Sequence, residues 1–136
     1  MSNGTAQNGI KRPVMLYHGS KWRLAPWILG HFPDHREYVE PYGGAAGILI
    51  RKKPSNHEVY NDLDERVVNV FRVLRDPEKA QDLEDKIRKT PFSRAEYNLC
   101  FKETDDPVER ARRVIVNTCM GYGSAVLQHK TGFRAK

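Results

Sequence analysis

A glycine-rich turn follows a predicted strand and offers backbone to which a ligand could bind. The segment Glu40-Pro41-Tyr42-Gly43-Gly44-Ala45-Ala46-Gly47 lies between a strand predicted over residues 37–40 and a small-residue helix predicted over 45–51. Glycines there let the backbone approach a ligand and let the helix pack closely on the strand. The segment is neither G-x-G-x-x-G nor a P-loop, which disfavours a dinucleotide or a triphosphate. By itself it is equally compatible with a plain tight turn.

An acidic residue follows the second predicted strand, which covers residues 58–60. Asp62 lies 19 residues after Gly43, close to the roughly 20-residue spacing of nucleoside-binding α/β folds, where such a carboxylate accepts hydrogen bonds from ribose hydroxyls. Capping of the next helix by Asp62 or Asp64 is the alternative interpretation. The glycine turn and the acidic strand end together favour nucleoside binding.

A third candidate segment, Tyr17-His18-Gly19-Ser20-Lys21-Trp22, precedes the glycine turn. A lysine at the start of a helix is electrostatically unfavourable for that helix, so we expect the Lys21 ammonium to reach a carboxylate or a phosphate. Tyr17 would supply an apolar wall. His18 and His35 have no cysteine or acidic partner at ligand spacing, and no metal site is predicted.

These residues are positioned by the order strand, glycine turn, helix, strand, helix, which is typical of the start of an open α/β sheet. Residues 1–12 are predicted to be a flexible leader, and Ser20 is predicted to cap a helix from Lys21 to about Leu29, which Gly30 would end in a left-handed conformation. Apolar periodicity and capping patterns predict four further helices, which begin at Leu63, after Asp76, after Ser93 and after Asp106. Only two or three strands are visible, so the sheet is incomplete.

Length and composition fit one globular domain. The chain has 136 residues, 39% of them hydrophobic and 29% charged, which is too apolar for a disordered chain. No stretch approaches the roughly 18–20 apolar residues of a membrane span, and the first residues contain no secretion signal. Cys100 and Cys119 are too few for a disulfide framework. A reducing, cytoplasmic location is expected.

The charge is unevenly distributed along the chain. Residues 1–60 carry a net charge of +4, residues 61–106 a net charge of −3 and residues 107–136 a net charge of +5. Basic ends around an acidic middle suggest that one face meets a polyanion such as DNA. Candidate phosphate contacts are Arg110, Arg112, Arg113, Lys130, Arg134 and Lys136. At least one of Arg112 and Arg113 is expected to face solvent.

Taken in order, the segments resemble the N-terminal half of the Dam-like adenine-specific DNA methyltransferases. The resemblance rests on Tyr17 to Trp22, Tyr38 to Gly47 and Tyr60 to Asp64, and it extends over about residues 13–134. It implies a Rossmann-like S-adenosylmethionine-dependent methyltransferase fold with an incomplete sheet. Residues 13–76 would form the cofactor-binding α/β part. Residues 77–136 would form a helical segment that leads into a DNA target-recognition region.

The resemblance also implies S-adenosylmethionine as the cofactor and duplex DNA as the partner. The implied cofactor-binding residues are Tyr17, Lys21, Glu40, Tyr42, Gly43, Gly44, Gly47 and Asp62. Tyr42 and the glycines would border the methionine part, and Asp62 would hold the ribose. Ser20 stands where the family more often has a glycine, and Tyr42 stands where phenylalanine is usual.

The catalytic Asp-Pro-Pro-Tyr motif of that family is absent, because no two prolines are adjacent in the chain. In the family this motif accepts the hydrogens of the adenine amine and stacks on the flipped base. We therefore assign no catalytic residue and expect the N-terminal part of a truncated or split enzyme. Its full reaction would be methyl transfer from S-adenosylmethionine to the exocyclic amine of adenine in duplex DNA, as in restriction-modification systems.

The missing motif predicts that this chain alone is inactive. The apolar faces of helices over 44–51 and 63–75 would lack partners, and a missing C-terminal half or a self-associating copy would cover them. Two alternatives remain open. One is a catalytically inactive DNA-binding or regulatory remnant of such an enzyme, and the other is a nucleoside-binding α/β domain unrelated to DNA.

Overall fold

The computed structural model describes residues 9–123, 127 and 129–135. They form two compact units: the described residues up to Val14 with Gly19–Leu63 make the first, and Met15–His18 with the described residues from Asp64 onward make the second. Most of the predicted leader, residues 1–8, and the candidate Lys136 lie outside the described residues. Within the described ranges, no helix is long and apolar enough to cross a membrane.

The first unit is built on a two-stranded parallel sheet. Strands β1 (Glu37–Glu40) and β2 (His57–Tyr60) pair with Glu37 opposite His57 and Glu40 opposite Tyr60. Both strands were predicted, and the α/β class is confirmed at this level. Parallel pairing places the carboxyl ends of both strands at the same edge, so the two loops that follow them are neighbours.

The helices of the first unit differ from those predicted. Helix α1 is Ala25–Leu29, and its N-cap is Leu24 rather than Ser20. Ser20 Oγ instead accepts from Trp22 N–H at 3.4 Å, which makes a local turn ahead of the helix. Gly30 does end α1, but with φ −65°, so the predicted left-handed conformation is wrong.

The predicted helix over 45–51 is also wrong. The segment forms successive turns, although Ile50 N–H still donates to Ala46 O at 3.0 Å in the helical pattern. Ala46 has φ +51°, a left-handed conformation that interrupts a right-handed helix at its start. The glycine turn therefore continues into a compact loop.

The second unit contains four helices with side-chain caps. They are α2 (Glu65–Leu74), α3 (Pro77–Lys89), α4 (Arg94–Leu99) and α5 (Pro107–Met120). Asp76, Ser93 and Asp106 each accept a backbone N–H from the first turn that follows them, and the caps at Ser93 and Asp106 were predicted. The first of these helices begins after Asp64 rather than at Leu63, whose side chain is 87% exposed.

Helix α5 is the centre of the second unit, because α2, α3 and α4 all pack against it. Val67, Val70 and Val73 of α2 are buried. The expectation that the helix over 63–75 leaves its apolar face without a partner is therefore wrong. The units divide after Leu63 rather than at the predicted boundary after residue 76, since α2 packs with α3 and α5.

A buried arginine joins two helices of this unit. Arg112 is only 6% exposed. Its guanidinium donates to both carboxylate oxygens of Glu109 at 2.7 and 2.8 Å, to Glu96 at 2.8 Å and to Thr90 at 3.0 Å. The hydrogen bond from Arg112 lowers the pKa of Glu109 to about 2, against the opposing effect of burial. A buried guanidinium with several acceptors couples the start of α5 to α4 and to the end of α3.

We predict that Glu109→Gln lowers the free energy of unfolding at pH 7 by about 1.5–3 kcal/mol, as for hydrogen bonds to charged groups. The pKa of Glu109 lies below its ordinary value of 4.5 in the folded state. Its stabilising contribution is therefore complete above about pH 4.5 and is lost as the pH falls toward 2. Denaturant unfolding at several pH values should show the difference between wild type and variant shrinking over this window.

The matched control is Glu84→Gln, which removes the partner of the exposed i,i+4 pair with Arg88. Exposed pairs of this kind contribute at most about 0.5 kcal/mol, so this variant should unfold almost as the wild type does. Equal losses for the two variants would show that the Arg112 network adds nothing beyond a surface ion pair.

Candidate functional site

The loops after β1 and β2 are joined by backbone hydrogen bonds. Asn61 N–H donates to Glu40 O and Gly43 N–H donates to Asn61 O, both at 2.9 Å. The Asn61 side chain adds a bond from Nδ2 to Pro41 O at 2.9 Å. No role was predicted for Asn61, although an asparagine directly after a strand is a recognised loop signal. The two strand ends thus form one continuous backbone surface.

Asp62 and the glycine turn meet directly. Gly44 N–H donates to Asp62 Oδ2 at 2.8 Å, and the Tyr60 hydroxyl donates to Gly44 O at 2.7 Å. Gly44 has φ +51°, a conformation that favours glycine. The cap of α2 is Asp64, which accepts from Arg66 N–H, so the two acidic residues have different positions and partners. A half-buried carboxylate therefore lies at the carboxyl end of β2.

Gly43 and Gly47 stand where a side chain would collide. A Cβ on Gly43 would overlap the Tyr60 ring, and a Cβ on Gly47 would lie 3.0 Å from the backbone nitrogen of Trp22. The turn therefore packs closely against the Tyr60 ring and the Trp22 backbone, which is possible because glycine has no side chain. The glycines are therefore required by the local packing of the turn.

Glu40 ends β1 with a carboxylate that is only partly satisfied. The backbone amides of Leu49 and Ile48 favour its charged form, yet burial is the larger effect and raises its pKa. Its Oε2 atom is buried and has no hydrogen-bond partner in the described part of the chain. A buried acceptor without a donor is unfavourable unless a ligand supplies one.

The same carboxylate affects its neighbour Tyr38. Burial, Glu40 and Glu58 together raise the pKa of Tyr38 to about 12, so the phenol stays protonated at neutral pH. The ammonium of Lys52 lies 4.9 Å from the centroid of the Tyr38 ring. These contacts fix β1 next to the glycine turn without adding an ionised phenol to the site.

The other predicted cofactor residues are less closely associated. Tyr42 is 82% exposed in the glycine turn. Lys21 Nζ donates to Gly19 O at 2.5 Å, a local carbonyl rather than the anion expected from its position. Tyr17 belongs to the second unit. There its electrostatic interaction with the guanidinium of Arg66 is a minor contribution to the raised pKa of that arginine. Within the first unit the structure therefore brings Glu40, Asp62 and the turn glycines together, and the Lys21 backbone lies 3.5 Å from the Cβ position of Gly47.

The predicted DNA-binding arginines are largely internal. Arg112 is buried in the ion-pair network, and the side chain of Arg113 is 14% exposed and donates to Glu109 and to Lys102 O. The expectation that one of them faces solvent is wrong. Both side chains donate to Glu109, and Arg113 also donates to the loop carbonyls of Lys102 and Glu103. Lys130 is exposed with its ammonium 4.8 Å from the centroid of Phe101, and Arg134 is partly exposed.

The chain was compared with models of known protein families. Residues 17–123 match the model of the D12 class N6 adenine-specific DNA methyltransferase family. The match covers the glycine turn, Asp62 and all of α1 to α5. A comparison with curated proteins finds no match.

We predict that Gly43→Ala destabilises the fold by about 1–3 kcal/mol, the usual cost of overpacking. The added methyl group would overlap the Tyr60 ring, which is held by its hydroxyl on Gly44 O. Thermal and denaturant unfolding measure the effect. Gly132→Ala is the matched control, because a Cβ there would meet nothing within 4 Å.

Combination with Tyr60→Leu tests the cause. Because the shorter side chain leaves room for the methyl group, the double variant should lose less stability than the sum of the two single variants. Simple additivity would contradict a steric origin.

Proposed function

We propose that this chain, which belongs to the D12 class N6 adenine-specific DNA methyltransferase family, is the S-adenosylmethionine-binding part of such an enzyme. The observation that carries the proposal is the bond between the Gly44 amide and the Asp62 carboxylate at the carboxyl ends of β1 and β2. Ligands of open α/β sheets bind at that edge. We propose that these two strands start a Rossmann-like sheet.

The residues at this edge fit S-adenosylmethionine chemically. Ribose hydroxyls and an aminium group are hydrogen-bond donors, and the edge offers two carboxylates. Asp62 would accept from the ribose hydroxyls, and the buried Oε2 of Glu40 would accept from a donor of the methionine part. The exposed ring of Tyr42 and the backbone of Gly43 and Gly44 would border the ligand. When bound, the cofactor supplies an electrophilic methyl group.

We propose duplex DNA as the partner and the second unit as the start of its target-recognition region. Residues 107–136 hold six basic side chains and one acidic one. Two of the six, Arg112 and Arg113, are engaged with Glu109. Arg110, Lys130 and Arg134 remain the proposed phosphate contacts among the described residues.

Methyl transfer to adenine needs groups that this sequence does not contain. The exocyclic amine is a poor nucleophile, because its lone pair is delocalised into the ring, and its hydrogens need positioned acceptors. The family places such acceptors in an Asp-Pro-Pro-Tyr motif, and no two prolines are adjacent here. We propose that activity requires a further segment that carries this motif.

The sheet supports that proposal. Val39 and Val59 lie opposite each other in the register of β1 and β2, and they are 57% and 50% exposed. Parallel sheets are ordinarily covered on both faces. A further segment of the enzyme, or a second copy of the chain, would cover these valines.

The absence of the motif also favours a second candidate function. A DNA-binding or regulatory relative without catalysis would keep the basic side chains of the second unit and would not need the cofactor. Binding of S-adenosylmethionine separates the two candidates.

We predict that Asp62→Ala weakens binding of S-adenosylmethionine by about 1.5–3 kcal/mol, the usual effect of removing a charged hydrogen-bond partner. Isothermal titration calorimetry measures the affinity. The matched control is Asp64→Ala, which removes the cap of α2 and should lower the melting temperature while it leaves the affinity unchanged. Unchanged affinity in the Asp62 variant would refute its role in binding the ribose.

We also predict that the 136-residue chain alone transfers no methyl group to DNA. Loss of one positioned acceptor typically costs a hundredfold or more in rate, and here the whole motif is missing. The measurement is incorporation of labelled methyl groups into unmethylated duplex DNA. Incorporation should appear when a segment with the Asp-Pro-Pro-Tyr motif is supplied in cis or in trans.

Binding of the same duplex serves as the control for this assay. If phosphate contacts dominate, the affinity should fall steeply as salt rises, and Lys130→Ala and Arg134→Ala should each reduce the slope. Clear turnover by the chain alone would show that catalytic residues lie within it and that the proposed division of labour is wrong.

A further inference from the structure

The glycine turn after β1 uses its backbone donors within its own unit. Gly43 N–H donates to Asn61 O at 2.9 Å, and Ala46 N–H donates to Gly43 O at 2.8 Å. Gly44 N–H donates to Asp62 Oδ2 at 2.8 Å. Loops that bind a phosphate direct such N–H groups at the ligand instead. This turn is therefore unsuited to hold a phosphate, although its sequence is rich in glycine.

The amides further along the loop serve Glu40. Hydrogen bonds from the backbone of Ile48 and Leu49 favour the charged form of the Glu40 carboxylate, against the larger effect of burial. With Asp62, this residue places two carboxyl groups at the ends of β1 and β2. An edge of this composition favours a ligand that donates hydrogen bonds over a ligand that carries negative charge. We call Glu40, Gly43, Gly44 and Asp62 the strand-end site.

Tyr60 holds the turn in this arrangement. Its hydroxyl donates to Gly44 O at 2.7 Å, and its ring lies where a Cβ on Gly43 would overlap it. Gly44 is therefore bonded at both of its polar atoms, at the carbonyl by Tyr60 and at the amide by Asp62. Its φ of +51° is accessible to glycine without a steric penalty, so these hydrogen bonds define its orientation.

The second unit contains a tyrosine with the same kind of bond in a different setting. The Tyr97 hydroxyl donates to Thr131 O at 2.5 Å, and Tyr97 is 2% exposed. Both bonds join a phenol to a backbone carbonyl, but Tyr60 lies two residues before Asp62 and Tyr97 belongs to α4. Tyr97 is therefore a matched comparison for Tyr60.

The chemistry of ribose determines where a 5′ substituent would lie. The 2′ and 3′ hydroxyls and the 5′ carbon are attached to the same small ring. A ribose that donates to Asp62 therefore carries its 5′ group along the edge of the first unit. A 5′-phosphate there would lie near carboxyl groups and would meet the amides of Gly43 and Gly44 already bonded. Both effects disfavour a nucleotide relative to a nucleoside.

We propose that the Tyr60 hydroxyl is a positioning group that makes the strand-end site selective for nucleosides without a 5′-phosphate. It holds the Gly44 carbonyl and so keeps the Gly44 amide on Asp62 and away from an incoming anion. The same contact orients the Asp62 carboxylate toward the ribose hydroxyls. The inference rests on the proposed function for the ribose at Asp62, but it needs neither methyl transfer nor DNA.

The test is an NMR titration of the isotope-labelled full chain with adenosine and with adenosine 5′-monophosphate. The two ligands differ only in the phosphate, and the Gly44 amide signal reports binding at the strand-end site rather than at the basic second unit. We expect adenosine to bind there about tenfold or more tightly, because like charges in one site repel. Equal affinities, tighter binding of the monophosphate or no binding of either would overturn the proposal.

The variant Tyr60→Phe tests the hydroxyl, because it keeps the ring and removes the bond to Gly44 O. The preference for adenosine should fall severalfold, and the Gly44 amide should exchange with solvent about tenfold faster, because its orientation is no longer fixed. A purely structural role would weaken both ligands by the same factor and would leave their ratio unchanged. An unchanged ratio would therefore contradict the positioning role.

Tyr97→Phe is the matched control. It removes the comparable bond to Thr131 O, so it should lower the melting temperature but leave both the ratio and the exchange of the Gly44 amide as in the wild type. A changed ratio in this control would show a global effect and would count against Tyr60.

Should Tyr60→Phe fail to fold, Asp62→Asn is the second variant. It keeps the shape of the side chain and removes one negative charge from the strand-end site, so the preference for adenosine should again fall severalfold. An unchanged preference would overturn the proposal.

Titration with S-adenosylmethionine separates this inference from the proposed function. A preference for adenosine without binding of S-adenosylmethionine would refute the proposed cofactor and support the selectivity. Binding of S-adenosylmethionine together with equal affinities for adenosine and its monophosphate would support the cofactor and overturn the selectivity.

Discussion

The hydrogen bond from the Gly44 amide to the Asp62 carboxylate is the interaction on which the first unit depends. Parallel strands bring their carboxyl ends to one edge, but they do not fix the loops that follow. This bond fixes them, together with the Tyr60 hydroxyl on Gly44 O. The left-handed Gly44 and the close contact of Gly43 with the Tyr60 ring follow from the same junction. The geometry of the candidate site is therefore set by a backbone conformation that favours glycine and by a close contact that a side chain at residue 43 would disturb.

The second unit is organised around the buried guanidinium of Arg112. Removing a guanidinium from water is costly unless several acceptors surround it. Glu109 and Glu96 provide that environment for Arg112. The net charge of the basic C-terminal segment is therefore larger than the charge that is free to attract DNA. Part of its positive charge is neutralised internally before any phosphate arrives.

The features that were predicted correctly from the sequence are those that depend on residues close to one another along the chain. The caps Ser93 and Asp106 bind backbone amides within three positions, so the local pattern was enough to predict them. The predicted helix over 45–51 is wrong because Ala46, directly after the glycine turn, adopts a left-handed conformation. The burial of Arg112 had a sequence signal, since it lies four residues after Val108 on the apolar face of α5. Its partner Glu96 lies on another helix, and no sequence pattern indicated that the two residues would pair.

Buried polar side chains occur in both units. Lys52 donates three hydrogen bonds and Arg112 donates four, and both side chains belong to the structure itself. Among the residues that the structure describes, the buried side-chain atoms without a partner are Glu40 Oε2 and Asn117 Oδ1. Each is an acceptor, and one lies in each compact unit. Folding alone gains nothing from an unsatisfied acceptor, and a donor brought by a ligand would remove that cost. For Glu40 that donor would come from the proposed cofactor.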